Sequence, residues 1–171
     1  WLEDKFIILG VANNWISKKG FYDFLKLAES LRADELIILV GVTKEQKKEL
    51  PNNILGVTKT NSKSELAEIY STSDIYINLT YEEVMGLTNV ESMACGLPVI
   101  TYDSGGSKEC ISNDTGWTAK KGDLQEIRRI ISDIRDNDYS IYRNHCLLRA
   151  KDYYNKDRMV NDYLKLYHRQ I

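Results

Sequence analysis

At 171 residues, with 43% hydrophobic side chains, the chain is long enough to bury one sizeable core and reads as a single domain. Lysine and arginine number 23 against 25 acidic residues, a near-neutral balance that argues against a nucleic-acid wrapper and against a polybasic membrane anchor. The three cysteines, Cys95, Cys110 and Cys146, are odd in number and lack metal-type spacing, which fits a reducing, cytosolic compartment.

Trp1 opens the chain without a methionine and the first strand follows at once, the pattern expected of a fragment of a longer protein. No apolar run reaches transmembrane length and no signal sequence is visible. Residues 6–12 form a continuously apolar, β-branched run, a buried strand. Phe21, Phe24, Leu25, Ala28 and Leu31 then share one helical face across residues 21–31. Residues 36–41 give a second strand. Thr43 opens a short polar helix ending near Pro51, and residues 54–57 form a third strand. A polar stretch leads to a helix over 65–71, with Ser62 or Ser64 as its cap.

The fourth strand spans 74–79 and is followed by a helix over 88–95, in which Cys95 is read as a buried small hydrophobe. Residues 98–102 form a fifth strand, Gly105 and Gly106 lead into a short helix to about Ile111, and residues 116–119 make a sixth strand. Helices over 124–135, 141–154 and 157–169 close the chain. Alternation of helices with continuously apolar strands implies an α/β fold, a doubly wound, Rossmann-like parallel six-stranded sheet. Such sheets bind ligands beyond the carboxyl ends of their strands, so the loops after Ala12, Val57, Leu79 and Tyr102 are the places to search.

After the first strand there is no G-x-G-x-x-G, but Lys18, Lys19 and Gly20 stand directly before a helix. A lysine there could neutralise a phosphate beside the helix's free N–H groups; two solvated lysines at a helix start would look the same. After the fourth strand, Thr88-Asn-Val-Glu91 matches an S/T-x-x-E capping box, placing the helix start at Thr88. The N–H groups of Leu87, Thr88 and Asn89 would then face the crevice, and Gly86 would let a ligand approach. In the plainer alternative Glu91 only completes the cap and Glu83 is a surface acid.

Glu83, seven intervening residues, and then Glu91-Ser-Met-Ala-Cys-Gly-Leu-Pro-Val-Ile resemble the signature of glycosyltransferase group 1 (family GT4), E-x-F-G-x-x-x-x-E-A-M-A-x-G-x-P-V-V/I. Asp103-Ser-Gly-Gly106 with Glu109 resembles its D-x-G-G-x-x-E segment, Gly116 its later turn glycine, and Lys19-Gly20 its lysine-glycine pair. Leu66 to Asp74 is similar to E-L-x-x-x-Y-x-x-A-D, and Tyr167 falls in a closing helix as in the family. The resemblance covers nearly the whole chain in the right order. It implies the carboxyl-terminal, nucleotide-sugar-binding half of a GT-B glycosyltransferase over residues 1–171, with the amino-terminal acceptor domain absent.

By that resemblance Lys19, assisted by N–H groups near Leu87 and Thr88, contacts the donor diphosphate, and Lys18 supplies a second positive charge. Glu91 holds the ribose hydroxyls, Glu83 faces the transferred sugar as the catalytic residue, and residues 57–59, from Val57 to Lys59, border the base. The resemblance further implies transfer with retention and a nucleotide-sugar donor as substrate, with no cofactor and no metal. A saccharide or lipid-linked acceptor would come through the other domain, and no nucleic acid is involved. Bacterial surface-polysaccharide synthesis, a cytoplasmic location and peripheral association with the inner face of the membrane are its wider expectations. His145 and His168 are read as surface or packing residues.

Three positions depart from the family. Ala12-Asn-Asn-Trp15 stands where an arginine is usual, Met85 replaces the phenylalanine before glycine, and Lys108 replaces a proline. Two rival readings remain: a non-catalytic nucleotide-sugar-binding subunit, and a GT-B nucleotide-sugar epimerase. Retained Lys19, Glu83 and Glu91 speak against the first, and the lack of a typical histidine pattern against the second.

Overall fold

Ile8 and Leu9 are both fully buried yet belong to different apolar clusters, so the strand that carries them is covered on both faces. The structure is a computed structural model and describes residues 4–168. Its strands are β1 (Phe6–Val11), β2 (Glu35–Val40), β3 (Ile54–Val57), β4 (Ile75–Asn78), β5 (Val99–Tyr102) and β6 (Gly116–Ala119). All pairings are parallel, in the order β3-β2-β1-β4-β5-β6. The first three strands march one way from the centre and the last three the other. A crevice therefore opens where β1 and β4 lie side by side, at the switch point of a doubly wound sheet.

Helices α1 (Phe21–Ala28), α2 (Lys44–Glu49), α3 (Lys63–Thr72), α4 (Leu87–Ala94), α5 (Leu124–Asp136), α6 (Ser140–Tyr153) and α7 (Lys156–His168) complete the chain. On one face of the sheet Phe24 and Leu27 of α1 pack with Ile127, Ile130, Ile131 and Ile134 of α5, an i, i+3, i+4, i+7 stripe. On the other face Tyr70 of α3, Met93 of α4, and Cys146 and Ala150 of α6 pack over Leu9, Leu36, Ile38 and Val99. No residue of α7 is buried. Arg169, the expected end of that helix, lies outside the described residues, as does Trp1.

Several expectations need correcting. Helix α1 stops at Ala28, because Ser30 bonds back to Leu27 O through both its N–H (3.0 Å) and its hydroxyl (2.8 Å). Ser62, not Ser64, caps α3, accepting from Glu65 N at 3.1 Å. Cys95 is only partly buried, whereas Cys110 and Cys146 are buried.

The capping box at Thr88 and Glu91 does not form. Helix α4 begins one residue earlier, at Leu87, with Gly86 as its cap and no side-chain hydrogen bond there. A Cβ on Gly86 would lie 2.6 Å from Asn89 Nδ2, so the glycine makes room for the buried Asn89 amide, and this packing sets the helix start. Thr88 and Glu91 are thereby carried past the positions from which they could cap.

Candidate functional site

The crevice between β1 and β4 encloses a cavity of about 490 Å³, walled by the loop over residues 12–16 and by Lys19, Asn78, Glu83, Thr88 and Glu91. Lys19 ends a short 3-10 turn, Ser17–Lys19, closed by Gly20 in the left-handed conformation with φ of 76°. A Cβ on Gly20 would fall 2.4 Å from the carbonyl oxygen of Leu79, so only glycine lets this turn press onto the end of β4. The Lys19-Gly20 pair thus fixes the lysine against the neighbouring strand.

Glu83 is held from behind by two glycines. A Cβ on Gly105 would lie 2.0 Å from Glu83 O, and one on Gly106 would lie 1.9 Å from Val84 O, while Gly106 N donates to Glu83 O at 3.0 Å. Ser104 Oγ adds a bond to Thr80 O at 2.7 Å. The glycine pair after β5 therefore clamps the backbone of the loop after β4. Lys19 Nζ and Glu83 Oε2 are 3.1 Å apart, an ion pair with 39% and 18% of the two side chains exposed.

Beneath this loop lies a buried polar ring that sequence reasoning missed. Asn89 Nδ2 donates to Ser107 O and Oγ, both at 3.0 Å, and Asn89 Oδ1 accepts from Asn78 Nδ2 at 2.9 Å. Thr101 closes the ring to Ser107 Oγ at 2.6 Å and to Asn78 O at 3.1 Å. Four elements meet there: the ends of β4 and β5, the first turn of α4, and the 3-10 segment Gly105–Cys110. The one visible signal was Asn78 itself, a polar residue inside an otherwise apolar strand.

Of the three N–H groups expected to face the crevice, Leu87 N bonds to Met85 O at 2.7 Å and Asn89 N to Gly86 O at 2.9 Å. Thr88 N alone has no acceptor among the described residues. The early, tight start of α4 consumes the other two. Glu91 projects from α4 and is exposed; its Oε2 accepts from the buried Tyr70 hydroxyl at 3.3 Å. Burial pushes the Tyr70 phenol well above its ordinary pKa, and the Glu91 charge adds in the same direction.

Three other candidates stand elsewhere. Lys18 Nζ turns to Glu82 Oε2 at 2.8 Å on the exposed surface and does not line the cavity. Val57 and Lys59 do not line it either, because β3 is the edge strand and β2 separates it from β1. Leu66 of α3 forms that part of the wall instead. Where the arginine is usual, exposed Asn13 and Asn14 face the cavity, anchored by buried Trp15, whose Nε1 donates to Val40 O at 2.9 Å. Trp15 also meets the Phe24 ring edge-on at 5.2 Å between centroids. Among the described residues, no group of three or more His, Cys, Asp or Glu side chains is placed to hold a metal ion.

A family model described as glycosyl transferases group 1 matches residues 2–152. N,N'-diacetylbacillosaminyl-diphospho-undecaprenol alpha-1,3-N-acetylgalactosaminyltransferase of Campylobacter jejuni is 27% identical over 176 residues, spanning 99% of this chain and 46% of the relative. Lipopolysaccharide glucosyltransferase WaaG of Escherichia coli K12 is 32% identical over 79 residues, 44% of this chain and 21% of the relative. The chain thus spans about half the length of the first of these relatives and less of the second. Among solved structures, Anabaena HepE in complex with UDP-glucose superposes with a TM-score of 0.83 at 19% identity, covering 99% of this chain and 50% of that one. The C-terminal domain of a glycosyl transferase group 1 family protein (LpcC) of Francisella tularensis gives 0.74 at 20% identity, covering 88% and 87%. The fold is that of the GT-B glycosyltransferases.

Proposed function

The chain belongs to the glycosyl transferases group 1 family, and from that premise we propose that it is the donor-binding, carboxyl-terminal domain of a sugar transferase. One observation carries the reading: Lys19, Glu83, Thr88 and Glu91 line a single cavity at the sheet's switch point. The superposition on a C-terminal domain from Francisella tularensis over 87% of its length supports the domain assignment. HepE, with the same fold, holds UDP-glucose, which supports a nucleotide-sugar as this chain's ligand.

In this reading Glu91 takes the ribose hydroxyls, and the diphosphate lies at Lys19 and the amino end of α4. Glu83 faces the sugar. The bond from the anomeric carbon to the diphosphate oxygen breaks, its electron pair leaving with the diphosphate, as the acceptor hydroxyl oxygen bonds to the same carbon with retention and its proton passes to the departing diphosphate oxygen. Lys19 and the Thr88 N–H stabilise the charge that develops on the leaving group, so no metal or cofactor is called for. Glu83 sits where positive charge grows on the sugar ring.

The acceptor, a saccharide or a lipid-linked sugar, would be held by a domain outside this chain. The Campylobacter jejuni relative, named for transfer to a diphospho-undecaprenol-linked sugar, supports assembly of a surface polysaccharide at the cytoplasmic face of a membrane. No helix among the described residues is long and apolar enough to cross a membrane. Calorimetric titration of the full-length protein with UDP-, GDP-, ADP- and TDP-sugars tests the reading. Saturable binding of one of them, weakened by Lys19→Ala and by Glu91→Ala, is expected. Binding of none, or binding indifferent to both substitutions, rules the site out.

A further inference from the structure

We propose that Tyr70 is a positioning residue for Glu91, holding one carboxylate oxygen so that the other is presented to the ribose. The inference rests on the donor-site reading above and extends it to a residue that never touches the ligand.

Tyr70 lies in α3 and is 1% exposed, with its ring edge-on to Tyr76 at 5.6 Å between centroids. A buried hydroxyl needs a partner, and the hydrogen bond it makes is to Glu91 Oε2 at 3.3 Å. Because burial keeps the phenol protonated, it remains a donor over the whole range in which an enzyme works. Leu66, one turn earlier on the same helix, lines the cavity, so α3 forms its wall and the Tyr70 hydroxyl reaches Glu91 from behind that wall.

Glu91 has little else to hold it. It takes no part in capping α4, it is exposed, and among the described residues no lysine or arginine pairs with it. An exposed glutamate moves among several rotamers, and ordering it on binding opposes affinity. With Oε2 tethered to Tyr70, Oε1 is left to accept from the vicinal hydroxyls of a ribose. The tether lowers the ordering penalty beforehand and fixes where the acceptor sits. The consequence is selectivity for ribonucleotides over 2′-deoxyribonucleotides that depends on Tyr70.

The test is calorimetric titration of full-length wild-type protein, Tyr70→Phe and Glu91→Ala with UDP, GDP, ADP and CDP and with their 2′-deoxy counterparts. Phenylalanine keeps the ring packing against Tyr76, so Tyr70→Phe should melt close to wild type. For whichever diphosphate binds, Tyr70→Phe should weaken the ribose form roughly three- to tenfold, the worth of one hydrogen bond. It should weaken the 2′-deoxy form less, so that the preference for ribose shrinks, and kcat at saturating donor should hold. Unchanged affinity in Tyr70→Phe, or equal losses for both forms, overturns the proposal while a loss in Glu91→Ala leaves the site reading standing. If Glu91→Ala also binds like wild type, or if no diphosphate binds, the site reading falls and the role of Tyr70 falls with it.

Discussion

Lys19 Nζ lies 3.1 Å from Glu83 Oε2, joining a cation from the turn after β1 to an acid from the loop after β4. In the proposed function the two groups take different parts of one ligand, and in the structure they neutralise each other. Both are partly exposed, and such pairs contribute only about 0–1 kcal/mol, so an incoming diphosphate can take the lysine from the acid at small cost.

Lys19→Ala should therefore weaken binding of the bare nucleoside diphosphate about tenfold or more, the loss of one charge-assisted contact. Glu83→Gln should act in the opposite way on binding, leaving diphosphate affinity equal or higher because its competitor for Lys19 is gone, while turnover collapses. Calorimetry beside steady-state transfer rates separates the two. Normal turnover in Glu83→Gln would remove that residue from the sugar.

The absence of a capping box has a measurable consequence. Loss of a true N-cap costs about 0.5–2 kcal/mol, so Thr88→Ala, which removes no cap here, should lower stability by less than about 0.5 kcal/mol in urea unfolding. Glu91→Gln should likewise leave stability nearly unchanged yet lower nucleotide affinity. A sharp loss of stability in either variant would restore the capping role.

Asn89→Ala should cost more than either. It strands Asn78 Nδ2 and Ser107 in the buried ring, and each unpaired buried polar group costs about 1–3 kcal/mol. Urea midpoints measure this directly; a loss below about 1 kcal/mol would mean that the ring contributes little to stability.

Gly106→Ala should disable the enzyme without touching a side chain of the site. The added Cβ would meet Val84 O at 1.9 Å, so the loop carrying Glu83 must move. Turnover should fall about as far as in a Glu83 variant, while diphosphate affinity falls less. Wild-type turnover would show that the clamp does not position Glu83.

Stability should decline in alkali. Burial raises the Cys146 thiol from 9.0 to about 12. The folded state thus keeps a proton that the unfolded state releases above pH 9. This contribution is full below about pH 9 and is lost as pH rises toward 12. Urea unfolding at stepped pH should show the decline, and Cys146→Ala should flatten part of it. An equal slope in the variant would assign the loss to the buried tyrosines, whose phenols are also raised.

The strands were legible because each is a short, largely apolar run. Residues 54–57 and 116–119 are strands to the residue. The start of α4 was not, because Thr88-Asn-Val-Glu91 satisfies a local rule that tertiary packing overrides: Asn89 must sit beside Gly86 to close the ring with Asn78 and Ser107. The contact of Tyr70 with Glu91 depends on how α3 and α4 meet over the sheet, and no sequence spacing reports that. Val57 and Lys59 lie at a strand end, but strand order decides which ends border the cavity, and β3 lies at the edge. Lys19 and Glu83 were readable because the glycines that seat them, Gly20, Gly105 and Gly106, are themselves in the motifs.

The anchoring of Trp15 makes the loop over residues 12–16 suitable ground for directed evolution. Its backbone is pinned from the inside: Trp15 Nε1 donates to Val40 O, and Gln46 Nε2 donates to Trp15 O at 2.7 Å. Asn13 and Asn14 are left exposed at the cavity with no part in that anchorage. Randomising those two positions would vary the chemistry presented to the proposed donor while keeping the framework intact. A combinatorial library for altered donor preference can therefore be confined to two codons.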